Sequence, residues 1–357
     1  MHDVLKYTQQ FKEGLGMKKF EGYIHGIDLG GWLSQCDYSQ DRLENFIKRE
    51  DIEKIKSWGL DHVRVPVDYN IFQSDDGSFI ESGFGYVQRC IDWCGEFGLN
   101  MILDLHKTKG FSFDKAHGEK NFFNDADLQQ SFYDLWEEFS KRYVKYQDRL
   151  VFELLNEVTD KDFLDEWNRI SNEAVKVIRK YSKDIKIIIG SYWNNSLDAM
   201  KDLATPADEN IVYTFHCYDP LIFTHQGAYW VDEMPRDFRL AYPGKIADYT
   251  AKYNEIGLDK LCDFAHITVD EVGAKYFEER FDEAKRVAEE RDVAVYCGEY
   301  GVINLADPQD TLKWYKDITS AFDKFGFGRA AWSYKEMDYG ISDAHMDSVR
   351  DELLKLL

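Results

Sequence analysis

Basic residues are in short supply in this chain. Lys and Arg number 44 against 66 Asp and Glu, giving a formal net charge of -22 over 357 residues. A surface of that sign repels phosphate backbones and anionic lipid, so nucleic acid and membrane surfaces are excluded as partners. A neutral or cationic ligand is expected instead. Long apolar runs are also missing: nothing approaches the roughly 18 consecutive apolar residues of a membrane-spanning helix. No Cys-x-x-Cys pair occurs among Cys36, Cys90, Cys94, Cys217, Cys262 and Cys297, whose spacings are scattered. Reduced, mostly buried thiols are therefore expected rather than a disulfide or metal framework. His-Glu-x-x-His is absent, and no third ligand stands at convincing metal spacing, so neither a metal nor a cofactor is read from the sequence. There is no internal repeat and no low-complexity linker, which argues for one domain.

What the chain does have is apolar and aromatic material. Hydrophobic residues make up 44% and aromatic residues 15%, enough for a large core with rings to spare for a cleft. The length suits either two domains or one large α/β barrel. Eight short apolar runs read as strands: 24–29, 62–67, 101–105, 151–155, 185–189, 211–216, 294–297 and 329–332. They are continuously apolar rather than alternating, as expected of parallel strands covered on both faces. Amphipathic helical stretches lie between them, at 50–59, 86–94, 128–146, 163–181, 281–291 and 311–325. Three strands are preceded by the same kind of punctuation, Trp-Gly-Leu-Asp, Phe-Gly-Leu-Asn and Phe-Gly-Phe-Gly, in which glycine ends a helix. Eight strands separated by helices predict a (β/α)8 TIM barrel spanning residues 1–357 as a single domain. The spacing breaks once, at 219–272, which holds Pro220, Pro235, Pro243 and many aromatics. This reads as a partly helical insertion after strand six. It would emerge on the C-terminal face, where a barrel's active site lies, as a lid or cleft wall.

Read in order, the C-terminal ends of those strands supply a polar set: Arg64, His106, Asn156 with Glu157, His216 with Tyr218, Glu299, and then Trp332. One polar residue at a strand end is ordinary, but six such ends in one chain point to a site. Two carboxylates without a metal suit glycosidic bond cleavage. One, with a raised pKa, protonates the leaving oxygen, and the other attacks the anomeric carbon or activates water. Arg64 is the cation and Tyr218 the donor available to the second carboxylate. Trp332 offers a flat floor for a sugar ring.

The ordered set Val63-Arg64-Val65-Pro66, Asp104-Leu105-His106, Leu155-Asn156-Glu157, His216-Cys217-Tyr218, Gly298-Glu299-Tyr300-Gly301 and Ala331-Trp332, with the opening Gly26-Ile27-Asp28-Leu29-Gly30-Gly31-Trp32, resembles glycoside hydrolase family 5 over nearly the whole barrel. The resemblance implies that Glu157 is the acid/base, Glu299 the nucleophile, and Asn156 the partner of the sugar 2-hydroxyl. It places His106, His216 and Tyr218 around the scissile bond, Arg64 behind the nucleophile and Trp332 under the glycone-side sugar. It also implies retention, with the carboxyl groups about 5–5.5 Å apart, and no cofactor. The implied partner is a β-glucan polysaccharide or oligosaccharide. A β-1,3-glucanase, a mannanase, an exo-acting β-glucosidase or transglycosylase, and a non-catalytic carbohydrate-binding barrel are the alternatives, because linkage choice lives in loops.

Further residues are weighed beside these. Lys107 stands where many relatives carry a second histidine, and with Lys109 would bring cations to the cleft. Trp32, Trp193, Phe223, Trp230 and Tyr339 are candidates to line it, and His225 and Gln226 candidates to donate into it. Glu153 shares the facing of Glu157 by the strand period of two, yet lies deeper, and reads as a buried structural carboxylate paired with a cation. The opening MHDVLKYTQQFKEGLG has no basic start followed by an apolar core. The expectation is a cytoplasmic enzyme or a secreted one lacking its leader.

Overall fold

Each of the eight apolar runs becomes a buried parallel strand. The computed structural model describes residues 17–114, 121–262 and 264–357, so the reading of the first sixteen residues lies outside the described part. The strands are β1 (His25–Asp28), β2 (His62–Asp68), β3 (Asn100–Lys107), β4 (Leu150–Glu153), β5 (Ile187–Ile189), β6 (Ile211–Cys217), β7 (Ala294–Tyr300) and β8 (Gly328–Ala331). Each pairs in parallel with its sequence neighbours, and β8 closes on β1 to complete a barrel.

The alternation of side chains along these strands sorts the barrel into layers. On β2, Val63, Val65 and Val67 join the large core shared with the surrounding helices. A second apolar cluster, Ile102, Val151, Ile188, Val212, Ala294, Tyr296 and Ala330, fills the lower interior and is floored by Phe20 and Tyr23. Two residues further along β3 and β4 come Asp104 and Glu153, both fully buried, with Asp28 and Arg64 beside them. A charged layer thus lies above an apolar plug and beneath the C-terminal mouth.

The covering helices run Arg49–Ser57, Glu81–Phe97, Ala126–Tyr143, Leu164–Arg179, Ala274–Arg291 and Pro308–Phe325. Two start earlier than their apolar periodicity suggests. Gly83 and Gly85 blur the first turn of the second, and acidic and basic residues dominate the first half of the fifth. The last has Asp307 accepting from the Gln309 and Asp310 amides with Pro308 in its first turn, a strong start signal. Between β5 and β6 there is no long helix, only a turn at Tyr192–Asn195 and a 3-10 helix at Leu197–Asp202. After β6 the chain forms short helices at Leu221–Thr224 and Ile246–Glu255 and a two-stranded antiparallel ribbon, Gly244–Lys245 with Glu271–Val272.

Candidate active site

The site rises out of the charged layer. Arg64 stands on β2 with no exposed surface. Its Nε and Nη2 grip the two oxygens of Glu153 at 2.7 and 3.0 Å. Nη1 reaches Asp28 at 3.1 Å and Glu299 at 2.8 Å, and Nη2 reaches Asn156 Oδ1 at 2.9 Å and Asp104 at 3.0 Å. One guanidinium therefore faces four carboxylates. Burial pushes three of them up: Asp28 well above the ordinary range, Asp104 to about 7, and Glu153 upward despite its grip on Arg64. Desolvation works against the charged forms, and the single Arg64 guanidinium only partly offsets it.

Two sequence-based readings change here. Arg64 is not at a strand end and cannot touch sugar; it is the hub beneath the site. Glu153 does not share a strand with Glu157 either. The strand ends at Glu153, and Glu157 sits in the following loop with φ +41°, so the period of two does not extend to it. The cation paired with Glu153 is Arg64.

Glu299 is set by a bulge. Phe215 pairs with Cys297 but His216 pairs with Glu299, so Gly298 is the extra residue. A Cβ on Gly298 would lie 2.8 Å from His216 Nε2 and 3.0 Å from Thr214 Oγ1. Glycine is the residue that lets the β7 backbone lie against His216 while Glu299 turns to the mouth. There Glu299 accepts from Arg64 on one oxygen and from the Tyr218 hydroxyl, at 2.9 Å, on the other. Burial and the negative charge of Glu299 hold the Tyr218 phenol far above its ordinary value, so it stays a donor.

Glu157 has a different setting. His216 Nδ1 lies 2.7 Å from one oxygen and Asn194 Nδ2 donates to the other at 3.0 Å. Burial raises its pKa, opposed by the Asn194 hydrogen bond. His216 is itself neutral, with burial lowering it to about 4. His106, lowered by burial to about 4, has Nδ1 2.6 Å from Asp104 and its ring parallel to Trp332 at 5.9 Å. Glu157, His216 and Glu299 each place a ligand atom within 4.8 Å of the other two. They are the one such trio among the described residues. Every carboxylate oxygen in it has a protein hydrogen-bond partner. One oxygen of Glu157 lies within 4.8 Å of one of Glu299, a close pair of carboxylates.

The remaining candidates divide. Trp332, with Tyr339, Ile303 and Ala228, forms a small apolar cluster at the mouth. Trp193 is 55% exposed beside Asn194. His225 packs edge-on against Tyr339 and Trp230, and Trp230 lies tilted against Tyr339. Trp32, in contrast, is fully buried and donates to Leu43 O at 2.9 Å. It is core, not cleft, because it turns outward from β1 toward a neighbouring helix. Phe223 is likewise buried against Tyr242, and Gln226 is spent on Phe223 and Leu240. Lys107 lies 3.8 Å from Asp68, and Lys109 donates to Asp75 O at 3.0 Å. Sequence reasoning missed Asp28, Asp104, Asn194 and Asn195. The two aspartates were findable as inward positions of β1 and β3; the asparagines carry no such signal.

The family model for "Cellulase (glycosyl hydrolase family 5)" matches residues 26–338. Cellodextrinase A of Ruminococcus flavefaciens is 45% identical over 313 residues, 88% of this chain and 86% of that protein. Endoglucanase C of Acetivibrio thermocellus is 36% identical over 338 residues, 93% and 97% of the two chains. Among solved structures, Thermotoga maritima Cel5A in complex with mannotriose superposes with a TM-score of 0.74 at 25% identity, covering 95% of this chain and all of that one, 100%.

Proposed function

We propose that this chain, which belongs to glycosyl hydrolase family 5 and is a glycoside hydrolase, is an endo-acting β-glucanase that works by double displacement on β-1,4 or mixed-linkage β-1,3-1,4 glucan. The observation that carries the reading is the asymmetry of two close carboxylates. Glu299 accepts from a guanidinium and a phenol, which suits a nucleophile. Glu157 is raised by burial and sits beside a neutral histidine, which suits a proton donor.

In the first step Glu299 attacks the anomeric carbon, the glycosidic bond breaks, and the leaving oxygen takes the proton of Glu157. In the second, Glu157 takes a proton from water, whose oxygen attacks the same carbon and releases Glu299. Asn156, with Oδ1 fixed by Arg64 and Nδ2 3.5 Å from His106 Nε2, is the residue assigned to a sugar hydroxyl. Trp332 supplies the stacking face. The relative at 45% identity is named a cellodextrinase, which supports short soluble chains as a substrate form beside polymer.

The test is Glu299→Gln. Activity on β-glucan and on an aryl β-cellobioside should fall by about 10⁴-fold or more; full activity would end the proposal. With Glu157→Ala, azide and an activated aryl cellobioside should give a β-configured azide product. Comparing products from carboxymethylcellulose, lichenan, laminarin and mannan separates the linkage alternatives.

A further inference from the structure

The turn after β5 is the most unusual backbone near the site. Trp193, Asn194 and Asn195 take φ of +51°, +56° and +55° in succession. Non-glycine residues in this region cost of order 1–3 kcal/mol each, less for asparagine, and three together persist only where the surroundings hold them. The Asn194 amide donates to Val158 O at 3.0 Å, tying the turn to the loop that carries Glu157. Asn194 Nδ2 donates to Glu157, and Asn195 Nδ2 lies 3.3 Å from His216 Nε2. With Asn195 donating to Nε2, the neutral imidazole carries its proton on Nδ1 and directs it at Glu157. Both side-chain donors to Glu157 thus depend on this turn, one directly and one through the histidine tautomer.

Trp193 heads the same turn with more than half its surface open. Glu157 follows β4 and the turn follows β5, whereas Trp332 follows β8 on the far side of the ring. The proton donor marks the leaving-group side of a scissile bond, so Trp193 stands on that side.

We propose that Asn194 is a positioning residue for Glu157, held in place by the same left-handed turn that presents Trp193. The inference rests on the assignment of Glu157 as acid/base. The charged and titratable groups around Glu157 are His216 of β6, Glu299 of β7, His106 and Asp104 of β3 and Arg64 of β2, with Tyr218 and Tyr339 beyond. Asn194 is the neutral donor among them.

The test uses leaving groups that differ in their need for a proton. Asn194→Gly keeps the left-handed backbone and removes the carboxamide. Its kcat/KM on cellotetraose and on phenyl β-cellobioside should fall about 10–100-fold, a fraction of full general-acid catalysis, while 2,4-dinitrophenyl β-cellobioside should change less than about threefold, because that leaving group departs unprotonated. The basic limb of the pH profile should move up, since the lost hydrogen bond favoured ionised Glu157. Asn194→Asp, matched in shape and tolerant of the same backbone, should show the same split with a larger upward move, and serves if the glycine variant does not fold. Trp193→Ala should lower kcat/KM on cellotetraose more than on either aryl cellobioside. Equal losses across leaving groups, or an unmoved basic limb, would overturn the proposal. If wild type fails to turn over the aryl cellobiosides, or Glu299→Gln keeps activity, the parent assignment fails instead.

Discussion

The two mouths of the barrel bury similar groups in different ways. At the N-terminal mouth His62 has Nδ1 2.5 Å from Asp61 and Nε2 2.7 Å from the Tyr296 hydroxyl. At the C-terminal mouth His216 lies 2.7 Å from Glu157 and 3.6 Å from Glu299. Each ring is seated against a glycine of a neighbouring strand: a Cβ on Gly26 would fall 2.2 Å from His62, as one on Gly298 would fall 2.8 Å from His216. The lower histidine is closed off by protein on both nitrogens, beside a carboxylate held low. Burial opposes that lowering, but the His62 contact and the Ile24 and His25 amides outweigh it. The upper histidine bridges two carboxylates that face an opening. Backbone strain follows the same division. Of ten non-glycine residues with positive φ among those described, Asp292 caps a helix, and the other nine lie in loops leaving the C-terminal ends of strands. The lower mouth is built for satisfaction, the upper for a geometry that a substrate completes.

The largest effect should come from the layer between them. Arg64→Met leaves Asp28, Asp104, Glu153 and Glu299 around a missing cation. Removing one partner of a buried ion cluster costs about 3–5 kcal/mol, so urea unfolding should show a large drop in midpoint and activity should vanish with it. A stable, active Arg64→Met would mean that the carboxylates beneath the site are already all neutral and that the hub is dispensable.

A smaller effect separates the mouths. His62→Phe strands the Tyr296 hydroxyl and Asp61 but touches nothing at the upper mouth. Stability should fall by about 1–3 kcal/mol, and kcat/KM per folded molecule should stay within about twofold. A changed pH–rate profile in this variant would show that the two ends are linked.

How far the sequence carried the reading depends on where a residue stands on this axis. The eight strands and the order His106, Asn156–Glu157, His216–Tyr218, Glu299, Trp332 were legible because strand ends in a barrel have one place to go, whereas Arg64, picked by the same rule, stands deeper on its strand. Asp28 and Asp104 were hidden only by being treated as spacers inside motifs; counting two back from His106 puts Asp104 inward beside Arg64. Trp32 was misread because a tryptophan after Gly30-Gly31 looks the same whether it faces the cleft or, as here, a helix. Asn194 and Asn195 had no pattern to betray them. Their role comes from a left-handed turn, and asparagine's tolerance of that backbone is too common to signal one.

The smallest predicted effect is a difference in pH window. His106 and His216 are held neutral down to about 4, whereas unfolded histidine titrates near 6.5. Between those values the unfolded chain binds protons that the folded chain refuses, so their contribution is complete above about 6.5 and is lost as pH falls toward 4. Asp104, raised to about 7, runs the other way: its contribution is complete below its ordinary 3.8 and is lost as pH rises through about 7. Asp28 and Glu153, also raised by burial, run the same way as Asp104, so the carboxyls of this half oppose its two histidines and the wild-type urea midpoint should change little between pH 4.5 and 6.5. Asp104→Asn removes one of the opposing slopes, so its midpoint should fall visibly as pH drops across that range. The lower mouth acts elsewhere. Asp61 is depressed below 3.8, so its contribution is present above that value and lost only as pH falls beneath it. A His62→Phe midpoint curve should consequently run parallel to wild type from pH 4.5 to 7.5. If it tilts instead, the two mouths are linked through their charges and the division between a satisfied mouth and a poised one is not electrostatic.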